Sequence, residues 1–137
     1  MRRVLLVLSC LVPGIAAAQG DSDRLCKSMS LEPAPCYARW APNVINLMNI
    51  GISIAAGDKK EFTGEAAFRQ ENDLYAYTRK AMKPGSERAA ALDKAHKYAQ
   101  ESYRAILPRK GVSEADRKKD ADRRQAELAR LVEKLAK

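Results

Sequence analysis

Between Glu65 and Lys137 prolines and glycines fall at only two places, Pro84-Gly85 and Pro108 with Gly111, and apolar residues recur at steps of three and four over most of the sequence they divide. Apolar residues at that spacing fall on one side of an α-helix. Proline lacks the amide hydrogen a helix interior needs and glycine is the commonest helix stop, so each break ends a helix. Three helices are predicted. The first spans residues 65–83, with Ala67, Phe68, Leu74, Tyr75, Ala81 and Met82 on its apolar side. The second spans 87–107 and carries Ala89, Leu92, Ala95, His96, Ala99, Tyr103 and Ile106. The third spans 114–136, with an apolar stripe only in its second half, at Leu128, Leu131, Val132 and Leu135. Ser86 stands where it caps the second helix. Ser113 with Asp116 resembles a capping box at the start of the third, with Asp in the place of the usual Glu or Gln.

Residues 43–56 are the most apolar stretch after the N-terminus, and they admit two readings. As a helix, Asn43, Asn46, Asn49 and Ser53 form a narrow polar arc, and Val44, Leu47, Met48, Ile52 and Ile54 fill a wider apolar one with Gly51 near its middle. As a strand, Met48, Ile50, Ile52 and Ile54 alternate with smaller or polar residues. A lone strand has no partner elsewhere in the chain, so helix is favoured. Pro42 then sits in a first turn, where proline is tolerated. Residues 19–42 read as irregular. Gln19 to Asp23 is polar and loose, Ser22-Asp23 begins a short helix through Met29, and Leu31 to Pro35 is extended or turning around two prolines.

The first eighteen residues read as a secretory signal peptide: Arg2-Arg3, an apolar run from Val4 to Val12, a break at Pro13-Gly14, and the small pair Ala16 and Ala18 before a cleavage point ahead of Gln19. The run is shorter than the ~20 residues a membrane-spanning helix needs. A lipoprotein alternative at Cys10 is disfavoured, because Leu8 is bulky and the better cleavage site lies downstream. Cleavage leaves 119 residues, one domain over 19–137, and a periplasmic or secreted location. It also leaves two cysteines, Cys26 and Cys36, which in an oxidising compartment are expected to form a disulfide. The expected fold is therefore all-α: a small antiparallel bundle of three long helices with a disulfide-stapled N-terminal segment.

No residue set points to a specific chemistry. His96 is the single histidine, so a histidine cluster for a metal within the chain is excluded, and no strained Gly-x-Ser-x-Gly turn presents a serine to it. Its place on an apolar stripe predicts a packed, hydrogen-bonded ring. Glu61, Glu65, Glu71 and Asp73 cluster in sequence, but no apolar surroundings are implied that would make one a general acid. A solvated face is expected, and a carboxylate-based envelope hydrolase is a remote alternative. No cofactor is called for.

Charge is more informative. The chain carries a formal net charge of +8, or +6 without Arg2 and Arg3, and residues 79–110 hold nine basic against three acidic side chains. Candidate binding residues are therefore Arg79, Lys80, Lys83, Arg88, Lys94, Lys97 and Arg104, with a solubilising face as the favoured plain reading. Tyr37 and Trp40 beside the disulfide join them, with core packing favoured over a binding anchor. The terminal helix alternates charges, and i,i+4 pairs such as Glu114–Lys118 and Asp120–Arg124 make its first half a solvated rod. The expectation is a non-enzymatic exported protein that binds a protein partner in the bacterial envelope, of inhibitor, immunity or accessory type. Binding of anionic lipid or envelope polymer through 79–110 is the alternative; nucleic acid is not an expected partner outside the cytoplasm.

Overall fold

The protein was analysed as a computed structural model, which describes residues 13–58 and 64–137, and side-chain surroundings for 20–52 and 64–137. Five α-helices follow one another: α1 Pro13–Ser28, α2 Pro33–Asp58, α3 Glu65–Lys80, α4 Glu87–Ile106 and α5 Glu114–Leu131, with a closing 3-10 turn Glu133–Leu135. There is no strand among the described residues, so residues 43–56 are helical and the alternating reading of Met48 to Ile54 falls.

Among the described residues the bundle has five helices rather than three, and the difference lies upstream of residue 59. Residues 19–42 are not an irregular segment. Gln19 to Asp23 is helical within α1, and α2 begins at Pro33. Proline in a first helical turn loses nothing, because its missing amide hydrogen has no intrahelical acceptor there. Pro33 and Pro35 both occupy that turn, and the Cys36 amide donates to the Glu32 carbonyl to carry the helix on. Pro42 consequently lies inside α2 instead of at its start. An interior proline costs about 3 kcal/mol. Burial of Ala41, Val44, Ile45 and Met48 around it supplies the offset.

Ser86 caps α4, its Oγ accepting from the Ala89 amide at 3.2 Å, and Ser113 caps α5 through the Asp116 amide at 3.1 Å. Gly85 and Gly111, in the turns ahead of those caps, adopt φ of +77° and +84°, which a side chain would strain.

Side-chain pairs fix the register. Phe68 stacks on Tyr103, Asn72 meets Gln100 and Tyr75 stacks on His96, so α3 and α4 run antiparallel. Tyr37 meets Glu71, and the Pro33 carbonyl meets Thr78, so α2 and α3 are antiparallel too. Arg117 reaches the Ile106 carbonyl and Arg124 reaches Ser102, which sets α5 antiparallel to α4. α2 also packs against α5 and α4, closing an up-down-up-down bundle with α2 at its centre. α1 lies outside against α3 and α2, pinned by the Cys26–Cys36 disulfide and by a hydrogen bond from the Tyr77 hydroxyl to Asp23. The core comprises Tyr37, Ile45, Met48, Leu74, Leu92, Ile106, Leu128 and Leu135, all fully buried.

The first half of α5 is not wholly solvated. Arg117 and Ala121 are buried, and Lys118 pairs forward with Asp122 instead of back to Glu114. The pairing of Asp120 with Arg124 forms as the spacing predicts.

Candidate functional site

Glu71 sits between Ala67 and Leu74 on the buried side of α3 and is 0% exposed. One of its oxygens accepts from the Tyr37 hydroxyl at 2.7 Å, and His96 Nδ1 lies 2.8 and 3.0 Å from the two oxygens. Gln100 Nε2, 3.4 Å from the second oxygen, donates to Asn72 at 2.6 Å. Facing two carboxylate oxygens, Nδ1 carries its hydrogen. The His96 ring lies flat on Tyr75, centroids 3.8 Å apart, and the Tyr75 hydroxyl donates to Asp93, which also accepts from Arg79 Nε. Burial, with the Glu71 carboxylate beside it, pushes the Tyr37 phenol well above its ordinary value of 10.0, so it remains a donor.

Glu71 is therefore not on a solvated face, in correction of the sequence reading. The signal was present: Ala67, Glu71, Leu74 and Thr78 follow steps of four, three and four, which puts Glu71 on the buried stripe. His96 is packed and hydrogen-bonded, as its stripe predicts. Of the other clustered carboxylates, Glu65 pairs with Arg69, Asp73 is exposed, and Glu61 lies outside the described residues. Glu65, Glu71 and Asp73 do not converge on one pocket.

The nine residues singled out for binding separate into three groups. Tyr37 is enclosed in the core on α2, not displayed on a stapled loop. Trp40, also on α2, is partly buried with its Nε1 enclosed and unpartnered among the described residues. Arg79 is tied to Asp93, and the Arg88 guanidinium donates to the Leu135 and Lys137 carbonyls at 3.3 and 3.4 Å. Lys80, Lys83, Lys94, Lys97 and Arg104 are exposed, and none takes part in an ion pair among the described residues. Lys94, Lys97 and Arg104 share the solvent side of α4 with Ala90 and Glu101. The stretch from Lys94 to Arg104 rises about 15 Å along the axis, so the charge forms a stripe over the middle and C-terminal part of α4. Lys80 and Lys83 lie beyond its N-terminal end.

A second surface was not legible in the sequence. Two adjoining clefts open between the first half of α4 and the stretch from Arg130 at the end of α5 through the closing turn to Lys137. One, of about 480 Å³, has Ala90, Ala91, Lys94, Arg130 and Leu131 in its walls; the other, of about 600 Å³, has Arg88 and Lys137. Glu87, Glu133 and Lys134 border both. Residues more than forty positions apart build this surface, so no local pattern announces it.

No helix among the described residues is long and apolar enough to cross a membrane. Comparison with protein-family models, with curated proteins and with solved structures finds no match for the chain.

Proposed function

We propose that the chain is an exported, non-enzymatic helical protein that works by binding a protein partner in the bacterial envelope. The observation that carries this reading is the stripe of Lys94, Lys97 and Arg104 on the open side of α4, all three exposed and none in an ion pair among the described residues. Charged side chains held this way on a stiff helix steer an acidic partner and fix its orientation. The non-enzymatic part is supported by the use made of His96 and Glu71. Each occupies the other, and both Glu71 oxygens are filled from within the protein. Export is supported by the leader-like N-terminus and by the Cys26–Cys36 disulfide. Cleavage ahead of Gln19 cuts within α1 and leaves its remainder stapled to α2.

The test uses the mature chain as bait in envelope extract, beside a Lys94→Glu, Lys97→Glu, Arg104→Glu triple variant of unchanged circular dichroism. A protein retained by the native bait and lost from the triple variant is the expected result. Identical sets of retained proteins on the two baits, or none on either, remove the reading. The spread of cations along α4 favours one second reading, attachment to anionic lipid or wall polymer. It predicts salt-sensitive sedimentation with phosphatidylglycerol vesicles that the same triple variant loses.

A further inference from the structure

Resting on the protein-binding reading above, we propose that the partner seats in the double cleft between α4 and the end of α5, and that the part it inserts is a short acidic peptide segment bearing an aliphatic side chain.

Packing along the α4–α5 seam changes abruptly from one end to the other. Near the C-terminal half of α4 the seam is filled, with Tyr98 covered by the Arg124 guanidinium 5.8 Å from its ring centre and Arg124 reaching Ser102. Toward the N-terminal half, the stretch of α4 between Glu87 and Lys94 presents the short side chains of Ala90 and Ala91, opposite half-buried Leu131. The two short side chains are what leave the cleft open. Its floor is apolar and small, fitting an aliphatic side chain rather than a charged one.

The rim decides what flanks that side chain. Arg88, Lys94, Arg130, Lys134 and Lys137 border the two clefts, against Glu87 and Glu133. Arg88 is fixed in the wall by its bonds to the Leu135 and Lys137 carbonyls, and Arg130 is held by Glu127. Lys94 and Lys134 enter no ion pair among the described residues, which leaves them to meet carboxylates of the occupant. Lys94 also belongs to the outer α4 stripe, so the stripe leads an acidic partner into the cleft. Glu87 and Glu133 are also outside the ion pairs of the described residues, and it is the excess of cations over these two carboxylates that favours an acidic segment.

Short random peptides displayed on phage, selected against the mature chain, are the probe. Enriched peptides are expected to carry carboxylates around an aliphatic residue and to weaken with salt. They should lose about tenfold or more in affinity on the Lys94→Glu, Lys134→Glu double variant and be excluded by Ala91→Trp, which fills the floor. Lys134→Glu alone, far from the core, guards against a folding defect, and circular dichroism is recorded for each variant. Peptides without carboxylates, peptides that bind Ala91→Trp undiminished, or no enrichment at all overturn the cleft. Photo-crosslinking in the producing cell separates the two proposals. A protein trapped from position 90, joined through an acidic peptide identified by mass spectrometry, supports the cleft. A protein trapped from position 97 but not from 90 overturns the cleft and leaves protein binding standing. No protein from either position, or lipid alone, overturns both.

Discussion

Glu71 is held by donors from two helices, Tyr37 on α2 and His96 with Gln100 on α4, while its own backbone belongs to α3. Removing a carboxylate from water costs several kcal/mol unless its oxygens are hydrogen-bonded. The side chain thus fixes how three helices meet, because moving any of them strands a buried charge. Tyr37→Phe keeps the ring and deletes one donor. It should lower unfolding free energy by about 1–3 kcal/mol, read from urea denaturation at neutral pH. The sign of its pH dependence follows from the phenol. Burial and the neighbouring carboxylate raise the folded value above the ordinary 10.0, so the stabilisation is complete below that pH. It drains away as pH climbs through the folded value. The gap in stability between native protein and Tyr37→Phe should therefore narrow above about pH 10. A gap that widens there contradicts this account.

Among the elements, the start of α3 and the middle of α2 approach each other where Gly64 faces the backbone of Met48. A Cβ at Gly64 would run into the Met48 carbonyl oxygen, and backbone yields less readily than a flexible side chain. Gly64→Ala should cost about 1–3 kcal/mol through overpacking, despite the better helix propensity of alanine. A variant as stable as the native chain in thermal denaturation would show that the two helices shift freely. The helix caps behave locally. Ser86→Ala frees the Ala89 amide at the head of α4 and should cost about 1 kcal/mol, with no change in the α2–α3 contact. Both effects lie outside propensity scales: the first belongs to a contact between helices, the second to a single hydrogen bond.

At the scale of the whole molecule, α1 is the element least embedded in the bundle, and the disulfide holds it there. The loop closed between Cys26 and Cys36 is short, and its closure is worth roughly 2–3 kcal/mol in the chain-entropy picture. Cys26→Ser with Cys36→Ser should lower unfolding free energy by about that much. Hydrogen exchange should rise first in α1, while α3, α4 and α5 keep their protection. Uniform loss across all five helices would mean that α1 is part of the cooperative core.

The helices downstream of residue 64 and the breaks between them were legible in the amino-acid order, because periodicity, proline, glycine and serine caps act within a few residues. Their ends were not, the first and third helices stopping at Lys80 and Leu131 rather than at 83 and 136. The disulfide partners were legible as the two cysteines downstream of the leader-like first eighteen residues, Cys26 and Cys36. The burial of Glu71 was written in the spacing of Ala67, Leu74 and Thr78, but it became meaningful only when Tyr37 and His96 arrived from other helices to hydrogen-bond it. The prolines misled in two ways. Pro33 and Pro35 fit a first helical turn, where proline costs nothing. Pro42 lies inside α2, where local propensity weighs about 3 kcal/mol against it and says nothing of the apolar surface that α2 buries at the centre of the bundle. The sequence by itself determined where helices can exist and where the positive charge is concentrated. Only the tertiary structure decided which of those charges face outward unpaired, and that a cleft opens beside them at Ala90 and Ala91, because both depend on what distant helices place opposite each residue.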